Sequence, residues 1–569
     1  MSVAVGQFSD QGRKALNQDF HGFYAPNEPL RSLKGVALAM ADGISSSNVS
    51  QVASETAVTN FLDDYFCTSE AWSVKHSVTR VLSAANAWLY AQSQQSPLRY
   101  EQDKGYVCTF SALVIKATTA HLFHAGDTRI YRLQGQALEQ LTHDHRLWVS
   151  EQKSYLSRAL GVEAHIEFDY QALPLKSGDI FILATDGVYE HSDAEFIISS
   201  INAHPDDLDQ AAKVIVTQAF ERGSPDNLSL QIIRIESLPQ QESSALQQQI
   251  EQLPLPPLLD AGADFDGYRI LREIHASHRS HVYLALDSAT QTQVVLKTPS
   301  IDQQDDPAYL ERFLMEEWVA RRLNSVHLLK AAIQSRPRNY LYSVTEFIEG
   351  QTLKQWLIDN PRPDLEKVRS IIEQIAKGLR ALHRMEILHQ DIRPDNIMID
   401  ATGTVKIIDF GSASVAGILE AAISLEQEAL LGTAMYSAPE YFLGEVGSRC
   451  SDLYALGVLT YHMLSGRFPY GTQVAQAKTL AAQRRLSYSS VLDEERAIPA
   501  WIDATLKKAL HPSPDKRYQE LSEFIFDLRH PNKAFVNQTR PPLIERNPVL
   551  VWQLISALLG GIILLLLNR

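Results

Sequence analysis

A polar stretch containing several prolines and glutamines divides this chain of 569 residues into two halves. Residues 237–267 show little hydrophobic periodicity, which is typical of a linker. Strand-like and helix-like patterns end shortly before this stretch and resume after it. Because 45% of all residues are hydrophobic, each half can bury a core of its own. We therefore predict two large domains, at residues 1–236 and 268–530, instead of one continuous fold.

The charge and the cysteine content exclude several classes of protein. A net charge of -15 argues against non-specific nucleic-acid binding, which requires a basic surface, so we expect no nucleic-acid partner. The three cysteines are too few and too scattered for a disulfide framework or a zinc site. Cys67, Cys108 and Cys450 are expected to be ordinary core residues of a protein in a reducing compartment.

An uncharged stretch lies near the end of the sequence. The 20 residues at 548–567 would span about 30 Å as a helix, which matches the hydrocarbon core of a bilayer. A buried helix is the alternative, but such helices usually show a polar stripe, and residues 562–567 are apolar all round. We predict one transmembrane helix at 548–567 after a juxtamembrane spacer at 531–547. Since no apolar signal peptide precedes it, we expect a single-pass C-terminal tail anchor in the inner (cytoplasmic) membrane, with both domains cytoplasmic.

Acidic residues of the first half recur where an apolar run meets a turn. Four aspartates have this setting: Asp42, Asp127, Asp186 and Asp226. Several strand ends at one sheet edge would bring these carboxylates together, and like charges at close range need a cation. Oxygen ligands without His or Cys favour Mg²⁺ or Mn²⁺ over zinc. Two such ions could activate a bridging water for attack on phosphorus.

A single Asp-Gly turn is weak evidence, because it is commonly only a hairpin signal. The ordered set is more specific: Asn17-Gln18-Asp19, Ala41-Asp42-Gly43, Gly126-Asp127-Thr128-Arg129, Ala184-Thr185-Asp186-Gly187 and Asp226-Asn227. This set resembles the metal-dependent type 2C (PPM) protein phosphatases over about residues 1–236. The resemblance implies an αββα sandwich, in which a β-sandwich is flanked by helices. It also implies a dinuclear Mn²⁺ or Mg²⁺ centre that hydrolyses phospho-Ser and phospho-Thr.

The resemblance further implies which residues hold the two or three ions and the substrate phosphate. The metal ligands would be Asp42, the carbonyl of Gly43, Asp186 and Asp226, with Asp19 holding metal-bound water and Asp127 a third, weaker ion. The family usually places an Arg three residues before the Asn, but Lys14 has that spacing here and Arg13 is one residue earlier. Either cation could bind phosphate, although Arg would make a bidentate contact. Because every acidic metal position is filled, we predict an active phosphatase.

The second half contains another ordered series of motifs, each weak by itself. The series is Val294-Val295-Leu296-Lys297, Glu316 on the next helix, Leu388 to Asn396 (LHQDIRPDN), Asp409-Phe410-Gly411 and Ala438-Pro439-Glu440. An Asp with an Asn five residues later lets one side chain orient a hydroxyl while the other holds a metal. The order and spacing resemble the eukaryotic-like Ser/Thr protein kinases of bacteria, over residues 268–530. The resemblance implies a bilobal kinase fold, so the expected fold class is multidomain α+β with one transmembrane helix.

The kinase resemblance implies a role for each matching residue. Lys297 would pair with Glu316 and the ATP phosphates, and Asp391 would be the catalytic base. Arg393 would contact the transferring phosphate. The remaining implied sites are the Mg²⁺ ligands Asn396 and Asp409, the adenine-binding hinge at Thr345, Glu346 and Ile348, and a structural ion pair between Arg517 and Glu440.

Two departures from the kinase pattern predict altered behaviour. His275, Ser277 and Ser280 stand where the phosphate-covering loop should have glycines, so we expect weakened ATP affinity. Gln390 replaces the Arg that normally pairs with a phosphorylated activation segment. We therefore expect activity that does not depend on phosphorylation between Asp409 and Glu440.

Together these patterns predict a membrane-tethered bifunctional enzyme that adds and removes phosphate on Ser and Thr side chains. Its cofactors would be Mn²⁺ or Mg²⁺ in the phosphatase, and Mg²⁺ with ATP in the kinase. Its substrates would be proteins bearing Ser/Thr or phospho-Ser/Thr, including its own other domain across the flexible linker. In one alternative, a non-catalytic kinase-like domain binds nucleotide or a partner and regulates an active phosphatase. An entirely non-catalytic scaffold is harder to reconcile with two complete sets of metal-binding positions.

Overall fold

The computed structural model describes residues 1–96, 101, 104–150, 153–238, 253–303, 306–332, 336–420, 434–492, 498–532, 535, 552, 553 and 556. The chain divides into two compact units. The first comprises Met1–Gln248 with Val415–Gln427, and the second comprises Gln249–Ser414 with Glu428–Arg569.

Two five-stranded sheets form the centre of the first unit. The strands are β1 Ser2–Asp10, β2 Asp19–Tyr24, β3 Val36–Asp42, β4 Phe110–Lys116, β5 Thr119–Ala125, β6 Arg129–Gln134, β7 Ala137–Gln140, β8 Arg146–Ser150, β9 Lys153–Leu156, β10 Asp169–Pro174, β11 Ile180–Ala184 and β12 Leu228–Ser237. One sheet has the order β1-β12-β11-β6-β7 and the other β10-β5-β4-β3-β2, while β8 and β9 form a separate hairpin. The helices are α1 Leu30–Lys34, α2 Ser50–Cys67, α3 Val74–Gln95, α4 Asp186–Tyr189, α5 Ala194–Ala203 and α6 Leu208–Glu221.

The alternation of side chains along β3 shows how these layers pack. Its even-numbered side chains, from Val36 to Met40, pack between the two sheets against residues of β11 and β12. Its odd-numbered alanines, from Ala37 to Ala41, pack under α2 and α3 on the outer side. Helices α5 and α6 cover the opposite sheet in the same way. Since successive strand residues point to opposite faces, a strand buried on both faces is apolar throughout, which explains the unbroken apolar runs. The layers have the expected order αββα.

The second unit consists of one antiparallel sheet followed by a mainly helical part. Its strands are β13 Asp264–Phe265, β14 Tyr268–Ala276, β15 Ser280–Asp287, β16 Gln293–Pro299, β17 Ser343–Glu346, β18 Gly350–Thr352, β19 Ile387–Leu388, β20 Ile397–Asp400, β21 Val405–Ile407 and β22 Ser414–Val415. The sheet order β13-β14-β15-β16-β17 follows the chain, and two small sheets pair β18-β20-β21 and β19-β22. The helices that follow along the chain are α7 Pro307–Arg322, α8 Leu353–Asp359, α9 Leu365–Arg384, α10 Ala416–Leu419, α11 Arg449–Ser465, α12 Leu480–Gln483, α13 Ala500–Ala509 and α14 Leu521–Arg529. Of these, α10 belongs to the first unit.

The sheet of the second unit begins inside the stretch that was expected to be a linker. Phe265 pairs with Tyr268, and the two residues between them, Asp266 and Gly267, have positive φ angles of 44° and 80°. Positive φ at both central positions is what a tight two-residue hairpin turn requires, and Asp-Gly is a preferred pair for it. The Asp-Gly dipeptide was therefore a local signal for an additional strand before the expected domain boundary.

Two further expectations concern the cysteines and the apolar stretch near the end of the sequence. Cys108 and Cys450 are buried as expected, but the expectation for Cys67 is wrong, because this residue is exposed at the last position of α2. Most of the predicted transmembrane segment at 548–567 lies outside the described residues. Within the part of the chain that the structure describes, no helix is both long and apolar enough to span a membrane.

Candidate functional sites

The aspartates of the first unit lie at strand ends on one edge of the two facing sheets. Asp19 begins β2 and is directly opposite Asp42, the last residue of β3. Asp186 begins α4 two residues after β11 ends, and Asp226 precedes β12. The hydroxyl of Thr185 donates to Asp19 Oδ2 at 2.9 Å, which connects the end of one sheet to the end of the other. The convergence inferred from the turn positions is therefore present in the fold.

Burial and mutual repulsion make these carboxyl groups hard to ionise. Burial raises the pKa of Asp19 to about 6 and that of Asp186 to about 7, from an ordinary value of 3.8. Burial also raises the pKa of Asp42 well above its usual range, and the charges of Asp19 and Asp186 add to this effect. Burial raises the pKa of Asp127 as well, against the opposing charge of Arg146. A cluster of this kind is stabilised by positive charge.

Two basic side chains supply positive charge from the chain itself. Arg146, at the start of β8, pairs with Asp127 and donates to Asp186 Oδ2 at 2.7 Å. Lys14 lies 3.2 Å from Asp226 Oδ1 and donates to the Ser45 hydroxyl at 2.9 Å. Sequence reasoning missed Arg146 and Ser45. Arg146 is 19 residues from Asp127 and 40 from Asp186, so no local spacing could have connected them.

The structure separates the two candidate phosphate-binding cations. Arg13 donates to the carbonyls of Ser224 and Phe220, and its guanidinium lies 5.0 Å from the centre of the Phe220 ring. Lys14, by contrast, is at the carboxylate cluster. This placement favours Lys14 over Arg13 as a phosphate ligand, because only Lys14 contacts a member of the cluster.

The donor set of the cluster fits a hard divalent cation. It consists of carboxylate oxygens and, next to Asp42, the backbone carbonyl oxygen of Gly43. The N–H of Gly43 donates to the Gln18 carbonyl at 3.1 Å. Asp19 Oδ1 is buried and has no hydrogen-bond partner. Among the described residues, no three His, Cys, Asp or Glu side chains are already arranged to hold an ion, and Arg146 and Lys14 are paired with three of these aspartates. The unpartnered oxygen and the raised pKa values are the observations that favour a metal here.

A buried ion pair marks the candidate site of the second unit. Lys297 Nζ on β16 lies 2.6 Å from Glu316 Oε2 on α7. Burial alone would lower the pKa of Lys297, but the charges of Glu316 and Asp409 raise it above its ordinary value, so the lysine stays cationic. Lys297 in turn lowers the pKa of Asp409 against the effect of burial. The N–H of Gly411 donates to Asp409 Oδ1 at 2.8 Å and orients this carboxylate.

The loop after β19 presents Asp391 and Asn396 to each other. The Asn396 amide donates to the backbone carbonyl of Asp391 at 2.9 Å and to its Oδ2 at 2.8 Å. Asp452 of α11 holds the loop, because its carboxylate accepts the backbone N–H groups of His389 and Gln390 at 2.9 and 2.8 Å. The buried Asp452 carboxylate therefore holds the loop that carries Asp391, and Asn396 orients the Asp391 carboxylate.

The other predicted residues of this site have partners of their own. Arg393 Nη2 lies 3.0 Å from Asp395 Oδ2. At the predicted hinge, Glu346 pairs with Lys406 at 2.8 Å, Thr345 lies in β17, and Ile348 is buried. The segment thus begins in β17, whose last residue, Glu346, forms the ion pair with Lys406.

The loop between β14 and β15 is closed by one of its serines. Ser277 Oγ accepts the N–H groups of Arg279 and Ser280 at 3.3 and 3.1 Å, and the Ser277 N–H donates to the Ser280 carbonyl at 3.0 Å. In a glycine loop such backbone N–H groups would be free to face phosphate. Here the Ser277 hydroxyl accepts two of these N–H groups.

Comparison with known families finds one match in each half of the chain. The family described as "Protein phosphatase 2C" matches residues 9–231, and the family described as "Protein kinase domain" matches residues 268–526. The chain carries a PP2C-type phosphatase domain and a Ser/Thr protein kinase domain.

Two curated relatives and one solved structure each match less than half of this chain. Serine/threonine-protein kinase PrkC of Bacillus subtilis is 29% identical over 46% of this chain, and serine/threonine-protein kinase PknB of Mycobacterium leprae is 31% identical over 44%. The match spans 40% of the length of each of these relatives. The serine/threonine phosphatase PstP/Ppp of Mycobacterium tuberculosis is 22% identical over 41% of this chain and 99% of its own, with a TM-score of 0.35.

The kinase domain also contains the predicted structural ion pair. Arg517 donates to both carboxylate oxygens of Glu440 at 2.8 and 2.7 Å, and both side chains are almost fully buried. The prediction of this pair is confirmed. Gln390, at the position of the missing Arg, has a positive φ of 66° and is held by Asp452 through its N–H, as described above.

Proposed function

We propose that the chain is a bifunctional enzyme that transfers phosphate from ATP to protein Ser and Thr and hydrolyses phospho-Ser and phospho-Thr. For the phosphatase, the supporting observation is the cluster of buried aspartates with raised pKa values and an unpartnered Asp19 oxygen. For the kinase, it is the Lys297–Glu316 ion pair together with the Asp391–Asn396 contact. The two sites use different residues, so each activity can be removed without the other.

In the phosphatase, Lys14 would bind an oxygen of the substrate phosphate through its ammonium group. Asp19, held at Oδ2 by Thr185, would orient the attacking water through its free Oδ1. The products are the free hydroxyl of the protein and inorganic phosphate. Two Mn²⁺ or Mg²⁺ ions held by Asp42, the Gly43 carbonyl, Asp186 and Asp226, with a third at Asp127, would lower the pKa of that water and neutralise the phosphate.

In the kinase, Asp391 would accept the proton of the substrate hydroxyl, because Asn396 fixes its Oδ2 and leaves the other carboxylate oxygen for the substrate. Lys297, kept charged by Glu316, would bind ATP phosphate oxygens. Arg393 would contact the transferring phosphate, and Thr345 to Ile348 would hold the adenine. Asn396 and Asp409 would hold Mg²⁺, which neutralises charge on the phosphates.

One observation favours a second candidate function. Because Ser277 occupies backbone N–H groups of the loop between β14 and β15, the kinase domain would bind ATP phosphates weakly. In this alternative it is a regulatory module that binds nucleotide or a partner without transferring phosphate, and only the phosphatase is active.

Matched single substitutions in the full chain test these proposals. We expect label transfer from γ-labelled ATP with Mg²⁺ to be abolished in Asp391→Ala and retained in Asp42→Ala. Phosphate release from a phosphopeptide with Mn²⁺ should be abolished in Asp42→Ala and retained in Asp391→Ala, so that each variant controls for the folding of the other. Transfer that persists in Asp391→Ala contradicts the kinase proposal. ATP binding without any transfer in the natural chain supports the regulatory alternative.

We also propose that residues 548–567 anchor the chain in the inner (cytoplasmic) membrane, with both catalytic domains cytoplasmic. The support is the length of this stretch and its lack of charge. The full chain should fractionate with membranes and resist alkaline extraction, whereas a chain lacking 548–567 should be released. Equal fractionation of both chains would contradict the anchor.

The linker further suggests that the kinase's own phosphosites are substrates of the phosphatase. A flexible connection raises the local concentration of one domain near the other to about the millimolar range. Asp42→Ala should then increase steady-state autophosphorylation at equal chain concentration. No increase would contradict this coupling.

A further inference from the structure

A second buried glutamate follows Glu316 on α7. The Glu317 side chain is only 6% exposed, and a buried carboxylate requires a charged or hydrogen-bonding partner. Successive helical residues point about 100° apart, so Glu316 and Glu317 face different neighbours. Glu316 faces Lys297 on β16, and Glu317 faces the segment that precedes β17.

Arg338 is the partner of Glu317 in that segment. Its Nη1 donates to Glu317 Oε2 at 2.8 Å, and its Nη2 contacts Glu317 Oε1, so the two groups meet as a bidentate pair. Such pairs are stronger and more directional than single contacts. Arg321, one turn further along α7, adds a contact from its Nε to Glu317 Oε1 at 2.9 Å.

Arg338 is itself held by the sheet. Its Nη1 also donates to the backbone carbonyl of Tyr342 at 2.7 Å, and its guanidinium lies 5.2 Å from the centre of the Tyr342 ring. Tyr342 is almost fully buried in the core of the sheet. The arginine therefore connects α7 to a rigid part of the domain, and its side chain is only 13% exposed.

We propose that Arg338 is a positioning residue that keeps Glu316 on Lys297 by holding α7 through Glu317. The inference rests on the proposed kinase function and deepens it. Rotation of α7 that moved Glu316 away from Lys297 would also have to break the Arg338–Glu317 pair. The helix is thus held by contacts with Arg338, which is itself bound to the sheet through Tyr342.

The test uses the full chain and two variants in the same segment. Arg338→Leu removes the proposed anchor. Arg336→Leu is the matched control, because Arg336 pairs with Asp287 at 3.0 Å and lies over the Tyr268 ring, away from α7. For Arg338→Leu we expect faster amide exchange in the α7 peptide and a fall in kcat of about tenfold or more, with the KM for ATP changed less than threefold. For Arg336→Leu, both quantities should stay within about twofold of the natural chain.

A variant in which the two charges are exchanged distinguishes a positioning role of Arg338 from a general effect on stability. The exchanged pair Glu317→Arg with Arg338→Glu should restore α7 protection and part of kcat, whereas Glu317→Arg alone should not. Equal losses in Arg338→Leu and Arg336→Leu, or absence of rescue, would overturn the proposal. If the natural chain shows no transfer at all, the proposed kinase function fails, but amide exchange of α7 still decides whether Arg338 anchors the helix.

Discussion

The two candidate sites differ in how their buried charged side chains are arranged. In the phosphatase domain, like charges are gathered, and burial raises the pKa values of Asp19, Asp42 and Asp186. In the kinase domain, buried charges have partners of opposite sign or hydrogen-bond donors, so the pKa of Asp452 lies below its ordinary value and that of Lys297 above. Burial still raises the pKa of Glu316 to about 7, although the charge of Lys297 opposes this effect. The first site holds carboxylates that repel one another, whereas the second places Lys297 against Glu316 and gives Asp452 hydrogen-bond donors.

This difference shows what each chemistry requires of the fold. A site built to hold several ions gathers carboxylates whose mutual repulsion costs stability in the metal-free state, and here Arg146 and Lys14 offset part of that repulsion. A site that orients one base and one lysine can use permanent ion pairs, because its groups need only be held in position.

Asp452→Asn should strongly destabilise the kinase domain. The Asp452 carboxylate is buried, and besides the two loop N–H groups it binds His383 Nε2 at 2.8 Å. Weakening three buried hydrogen bonds to a charged carboxylate costs about 3–5 kcal/mol, which lowers Tm by roughly 6 °C or more. Calorimetry of the full chain measures this, with Asp515→Asn, at an exposed position, as a control that should not change Tm. An unchanged Tm in Asp452→Asn would contradict the view that the partners of this carboxylate stabilise the kinase domain.

Asp42→Asn should have the opposite effect on the phosphatase domain. In the presence of a chelator at pH 7.5, removing one of several repelling carboxylates should raise Tm by roughly 2–8 °C, equivalent to about 1–2 kcal/mol. The same variant should lose phosphatase activity by about 1000-fold, since the ligand is gone. A lower Tm in the chelated protein would mean that Arg146 and Lys14 already neutralise the cluster.

The stability of the metal-free phosphatase domain should fall as pH rises from 5 to 7.5. The folded-state pKa values of Asp19, about 6, and Asp186, about 7, lie above the ordinary 3.8. The folded state therefore binds more protons than the unfolded state in this range, and stability is lost as pH rises through these values. The decrease should be roughly 2–4 °C or more in Tm. Added Mn²⁺ should raise Tm more at pH 7.5 than at 5.5, because protons compete with the metal at the lower pH. An equal Mn²⁺ effect at both values would contradict the linkage.

Ser277→Gly should strengthen ATP binding by about three- to tenfold. The substitution frees two backbone N–H groups for phosphate, and we expect a net gain of one hydrogen bond, which contributes about 0.5–1.5 kcal/mol. Ser277→Thr keeps the hydroxyl and is the matched control, for which we expect little change. Calorimetric titration with ATP and Mg²⁺ measures both. Weaker binding in Ser277→Gly would show that the closed turn assists the nucleotide.

Some parts of both sites followed from sequence order and others did not. The strand-end aspartates, the Lys297–Glu316 pair and the Arg517–Glu440 pair were expected from motifs, and the structure brings each group together. The hairpin at Asp266-Gly267 was missed although its dipeptide is a known turn signal. Arg146 and Arg338 could not be found from spacing, because each reaches its partners from a different element of the fold.

Periodicity and turn chemistry act over short distances along the chain, so the sequence alone predicted two domains and placed aspartates at turns. The αββα layers and the roles of the site residues followed from resemblance to known families. Tertiary structure decided the electrostatics. It placed Lys14 and not Arg13 at the aspartate cluster, brought Arg146 between two strand ends, and closed the Ser277 loop on its own N–H groups. The physical reason is that the energy of a buried charge depends on what surrounds it in space, and sequence order does not specify those neighbours.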